Sequence, residues 1–140
     1  MSISNGNGGM DVGMVCSDAS IAIGKIVYGD TTDTTNSQKV VTVATADTHV
    51  PIGVTMTATT AADEQVTIRV SGIADVVVNG TNAIDIGDKI VASAAGVGVI
   101  VTTTDAVVQE VLGIALAPST ANGDRISVLI ARQSLVKGTA

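Results

Sequence analysis

Displaced by 60 positions, the chain lies over itself. The stretch VVTVATADTHVPIGVTMTATTAADEQVTIRVSG, Val40 to Gly72, aligns without a gap on IVTTTDAVVQEVLGIALAPSTANGDRISVLIAR, Ile100 to Arg132. Few residues are identical, among them Val41/Val101, Thr42/Thr102, Gly53/Gly113, Thr60/Thr120 and Ala61/Ala121, but the apolar register persists. Ile52, Val54 and Met56 fall on Leu112, Ile114 and Leu116, while Val66, Ile68 and Val70 fall on Ile126, Val128 and Ile130. Upstream, IAIGKIV from Ile21 matches IDIGDKIV from Ile84 to Val91. One structural plan is therefore built twice, and two copies are too few for a solenoid. The expectation is two half-domains, about residues 20–72 and 83–132, paired face to face about a pseudo-twofold axis in one small closed β structure.

Periodicity makes the halves all-β. Val66, Ile68 and Val70 alternate with Thr67 and Arg69, and Ile126, Val128 and Ile130 alternate with Ser127 and Leu129. A period of two puts each apolar set on one sheet face and the intervening residues on the other. Gly53 and Gly113 precede apolar strands at equivalent places and suit a bulge or a sharp bend. Gly24 and Gly87 suit turns, as do Asn79-Gly80 and Asn122-Gly123. TDAVVQEVLG (Thr104 to Gly113) also carries helical spacing, but Pro51 in the matching segment of the first half argues against a helix there.

Composition explains why such a body would need neighbours. Among 140 residues Tyr28 is the only aromatic, so the core of a single domain is assembled from many small side chains. A thin core points to an obligate oligomer, which adds buried apolar area. The net charge is −6, and the seven basic residues are scattered. Nucleic acid is thereby disfavoured, since phosphate binding needs a basic face and base stacking needs rings. No apolar run is long enough to span a membrane, and the leader lacks the pattern of a signal peptide. A soluble protein made in the cytosol is expected.

No residue constellation signals catalysis. His49, the sole histidine, stands in a predicted loop without a second imidazole or thiol at ligand spacing. Cys16, the sole cysteine, cannot form an internal disulfide and reads as a small buried hydrophobe. The acids Asp63, Glu64, Asp85, Asp88 and Asp124 fall in turns, where capping explains them better than glycosidic chemistry in a chain without aromatic platforms. DTTDTTNSQ (Asp30 to Gln38) only faintly echoes a calcium loop. Tyr28 reads as a core or sheet-face residue ahead of an interface anchor, and Met10 and Met14 either as adaptable contacts for a partner or as products of chance. No catalytic residue, metal, cofactor or small-molecule substrate is expected.

The stretch SNGNGGMDVGM, Ser4 to Met14, contains nothing that would nucleate a helix or strand, and its glycines neither follow a strand nor open a helix as a phosphate loop does. The chain then divides into an extended arm, residues 1–14, a β body, residues 15–133, and a short tail, residues 134–140. The repeated IAIGKIV … VPIGVTMTATTAADEQVTIRVSG and IDIGDKIVASAAG … VLGIALAPSTANGDRISVLIAR resemble the head decoration, or cement, proteins of tailed bacteriophages. Gly24-Lys25 replaces the commoner Gly-Asp. The resemblance implies a β-barrel or β-tulip body, assembled as homotrimers on the exterior of an icosahedral head. It implies the major capsid protein as partner, and stabilisation of the shell against internal DNA pressure. It also implies an N-terminal arm lying on neighbouring subunits, here Ser2, Ile3, Ser4, Asn5, Gly6, Asn7, Gly8, Gly9, Met10, Asp11, Val12 and Gly13. Two other classes compete. A lipoyl or biotinyl carrier also has two β half-repeats, but its lysine sits at a hairpin tip, whereas Lys89 falls at a strand entry. A Thr-rich extracellular adhesin module would need secretion.

Overall fold

The computed structural model describes residues 9–31, 39–42, 50–101 and 108–136. Among these residues nine strands form: β1 (Met10–Cys16), β2 (Ile26–Gly29), β3 (Lys39–Thr42), β4 (Gly53–Thr55), β5 (Glu64–Asn79), β6 (Lys89–Ala92), β7 (Gly98–Ile100), β8 (Val108–Ala115) and β9 (Asn122–Val136). The only helical piece among the described residues is one 3-10 turn, Ala94–Gly96. The all-β expectation holds, and the described part of the segment with helical spacing is strand β8.

The strand order is β1-β3-β2-β4-β5-β7-β6-β8-β9, and the further pairings β1–β5 and β5–β9 return the hydrogen-bonding path on itself twice. Each half is thus a ring of five strands, and β5 belongs to both. Its first part pairs with β1 and β4, while its second part pairs with β9 and meets β7 at Val78. The interiors of the two five-strand rings are filled by small and branched side chains.

The duplication is visible bond by bond. Val54↔Arg69 and Thr55↔Ile68 recur as Ile114↔Leu129 and Ala115↔Val128. Ile26↔Val54 and Val27↔Gly53 recur as Lys89↔Ile114 and Ile90↔Gly113. The parallel pair Cys16↔Val40 recurs as Val78↔Gly98. At Gly53 an added Cβ would collide with the Arg69 carbonyl, and at Gly113 with the Leu129 carbonyl. The two positions are glycine because a neighbouring backbone occupies the side-chain space.

Five expectations need correction. The ungapped shift of 60 positions does not hold at β3, where Val40, Val41 and Thr42 correspond to Gly98, Val99 and Ile100 and not to Ile100, Val101 and Thr102. The repeat starts earlier than residue 20: β1 is the equivalent of Gly72–Val78, so Met10 to Met14 form a strand and are no part of an unpaired leader. Val12, Met14 and Cys16 alternate with period two, and composition had masked that period. The matching of Ile21–Val27 to Ile84–Val91 has no inserted residue, so that Ile26 corresponds to Lys89 and Val27 to Ile90. The halves join end to end through the continuous β5, because the closing strand of one ring runs directly into the opening strand of the next. Finally, Ser134 to Val136 extend β9 against β8 and are not tail.

One apolar cluster fills the first ring: Cys16, Ile21, Val27, Val40, Val66 and Ile68, with Val12, Met14, Ile52 and Val70 partly buried around it. The second cluster contains Ala74, Val76, Val78, Ile84, Ile90, Leu112, Ala115, Ile126 and Val128, and takes in Ile26 and Val54 from the first ring. Each fully buried Val, Ile or Leu contributes roughly 1.5–3 kcal/mol.

Candidate functional site

The place where the rings meet is built from one row of side chains. Ile26, Val54 and Arg69 stand directly opposite one another across β2, β4 and β5, and so share a face. All three are buried. The turn leading into β2 is pinned beside them: the Thr55 hydroxyl donates to the Ala22 carbonyl at 2.8 Å and accepts the Lys25 N–H at 2.9 Å. Gly24, at φ +88°, donates its N–H to the Thr55 carbonyl and accepts the Val77 N–H, each at 2.9 Å. The Ile23–Gly24 turn of the first ring is thus laid on β5 of the second. Between them lies a groove of about 380 Å³ lined by Ile23, Met56, Arg69, Ile73, Asp75, Leu116, Arg125 and Ser127.

Arg69 supplies the polar lock at this junction. Its Nε donates to Asp11 Oδ1 at 2.8 Å, one terminal nitrogen to Asp11 Oδ2 at 3.1 Å and the other to the Ile73 carbonyl at 3.0 Å. This fork-to-carboxylate geometry is the strong form of an ion pair. The Asp11 hydrogen bond holds the Arg69 pKa above its ordinary value; burial opposes that rise, and the charges of Asp11 and Asp75 support it. Strand alternation had placed Arg69 on a polar face; it is instead on the junction face. The available signal was Asp11, an isolated acid in an otherwise neutral stretch.

The equivalent positions in the second ring are not covered. The row Lys89, Ile114 and Leu129 corresponds to Ile26, Val54 and Arg69, yet Lys89 and Leu129 are exposed and Ile114 is half-buried. Ile23 corresponds to Ile86, which is 68% exposed, and buried Gly24 corresponds to exposed Gly87 at φ +96°. The opposite end shows the complementary difference. Ala74, Val76 and Leu112, covered where the first ring meets the second, are buried, whereas their counterparts Val12, Met14 and Ile52 are only partly so. Met10, at the start of β1, is 60% exposed. One end of the molecule has an uncovered row in which Lys89 stands beside Ile114 and Leu129, and the other has an under-covered ring.

The remaining candidates are structural. Cys16 is fully buried, and desolvation raises its pKa, which keeps the thiol protonated. Tyr28 packs against the second core cluster. Three of the acidic turn residues tie their turns: Glu64 accepts the Thr60 N–H and hydroxyl at 3.2 and 2.9 Å, Asp88 accepts the Asp85 N–H at 2.8 Å, and Asp124 accepts the Ser119 hydroxyl at 2.9 Å, whereas Asp63 pairs with Lys39 at 2.9 Å. Lys89 is the first residue of β6, at a strand entry. Among the described residues no cluster of His, Cys, Asp or Glu could hold a metal ion, and no helix is long and apolar enough to cross a membrane. Ser2 to Gly8 of the expected arm, His49, and most of the faint calcium-loop stretch lie outside the described residues. Of the arm's other members, Met10 to Gly13 are in β1, with Gly9 preceding it.

A family model described as phage cement protein matches residues 22–130. Among curated proteins nothing matches. Among solved structures, the head fiber gp8.5 N base of bacteriophage phi29 is similar over 91% of this chain and 98% of that one, with a TM-score of 0.63 and 16% identity. At that identity the likeness is one of fold.

Proposed function

The chain belongs to the phage cement protein family, and from that premise we propose that it sits on the exterior of an icosahedral head, where trimers bridge neighbouring major capsid protein subunits. The family is structural and not enzymatic, and it associates with the phage capsid, so this chain is a virion structural protein. The single observation that carries the finer reading is the family match over both rings, residues 22–130.

The proposed action is mechanical. A trimer touching several coat subunits converts each later contact into an intramolecular one, so weak contacts sum to strong holding. A shell strained outward by packaged DNA is then harder to open. Ser2 to Gly9, rich in Gly and Asn, would reach from the start of β1 onto the coat and lie over neighbouring subunits. The acidic surface keeps the protein off DNA.

Heads prepared with and without the protein test this directly. Cement action predicts that coated heads release DNA at a higher temperature, and that cryo-EM places the chain outside the shell across subunit boundaries. Equal release temperatures, or density confined to a single coat subunit, would remove the bridging role. Deleting Ser2 to Gly9 should lower occupancy on heads while leaving the circular dichroism spectrum unchanged; undiminished occupancy would discard the arm.

A further inference from the structure

We propose that copies of this chain join head to tail, the second ring of one copy docking on the first ring of the next and repeating between chains the junction that joins the rings within a chain. The internal junction is the template. There, Ile26 and Val54 pack with Ala74 and Val76 of the next ring in one buried cluster, Arg69 lies buried beside them, and the Gly24 carbonyl accepts the Val77 N–H, while Ile23 of the same turn stays 39% exposed. The second ring presents the equivalent turn and row uncovered, with Ile86 68% and Leu129 39% exposed and with exposed Lys89 in the place of Ile26. The first ring leaves Val12 and Met14, the equivalents of Ala74 and Val76, only partly buried. Each end lacks what the other end carries, and the fold already contains one instance of the corresponding union, between its own two rings. The occupant argued for is therefore a second copy.

A contact between two different surfaces is heterologous, and it generates a closed ring when its rotation closes. The inference supplies the trimer of the preceding section with its contact surface. It is tested in solution without heads, so its failure and the failure of capsid attachment are separate results.

The experiment measures the mass of the full chain by light scattering, against 13.9 kDa for one copy. Wild type is expected as an oligomer. Ile86→Asp and Leu129→Asp spoil one end, and Met10→Asp and Gly13→Arg spoil the other; all four sites are exposed, and a side chain at Gly13 meets only the flexible end of Gln65 at 3.2 Å. Each variant alone should fall to a monomer with an unchanged circular dichroism spectrum. Mixing an Ile86→Asp chain with a Met10→Asp chain leaves one intact junction, so the mixture should form a dimer that grows no further. A monomeric wild type, variants that stay assembled, or a mixture that stays monomeric would each overturn the proposal. If Ile86→Asp unfolds, Leu129→Asp carries the same comparison.

Discussion

At the scale of single residues, three positions show how the duplicated plan constrains chemistry. Gly53 and Gly113 each face a carbonyl of the adjacent strand where a Cβ would sit. Gly113→Ala should lower stability by about 1–3 kcal/mol, as overpacking does, read as a lower urea midpoint. The glycine pair was legible in the sequence as a repeated position, but its cause, a carbonyl from another strand, was not. Arg69 is the opposite case: its burial depends on Asp11, 58 residues away in sequence. Arg69→Met keeps the stem, leaves the Ile73 carbonyl and the Asp11 carboxylate without their donor, and should cost about 2–3 kcal/mol. That is below the cost of breaking a fully buried pair, because the Asp11 side chain is 37% exposed. Cys16 gives a pH dependence. Its folded pKa is raised from 9.0 by burial, so the folded state holds the proton longer than the unfolded one. The associated stability is fully present below pH 9.0 and is lost as pH rises through the folded pKa. Cys16→Val copies Val78 at the equivalent position; it should fold, and its stability should fall less than wild type above pH 9.0, as measured by urea titrations across pH.

At the scale of elements, β1 and β5 decide the architecture. The alternation that marks β5 and β9 is strong because both strands have one apolar face repeated over many residues. The alternation in β1 is as real but is carried by Val12, Met14 and Cys16 with Gly13 among them, and glycine and methionine give weak strand signals. Truncation separates the two parts of the leader. Removing residues 1–8 should leave thermal unfolding cooperative, whereas removing residues through Cys16 withdraws a strand from the first ring, together with Asp11. The shorter product should bind a hydrophobic dye and lose cooperativity; a cooperative transition in it would mean that β1 is dispensable. Hydrogen exchange should be slowest in β5, which is paired within both rings.

For the whole molecule, the asymmetry between its ends is the main result. A chain of two identical rings would bury one junction and leave one matching pair of surfaces unused; in that direction Ile86 is 68% exposed against 39% for Ile23, and Leu129 39% against 4% for Arg69. Thermal stability should therefore depend on protein concentration, since association adds buried area only to the folded state. The midpoint of unfolding should rise across a hundredfold concentration series for wild type and stay flat for Ile86→Asp. A flat wild-type series would be incompatible with head-to-tail assembly.

The sequence by itself determined the duplication, the strand class, the turn glycines and the capping acids, because each depends on spacing along the chain and on local backbone chemistry. Only the tertiary structure decided that β1 opens the first repeat, that β5 serves two rings, that Arg69 faces inward, and that one end is covered while its equivalent is bare. These depend on which strand lies beside which, and sheet neighbours are chosen by contacts between residues far apart in sequence.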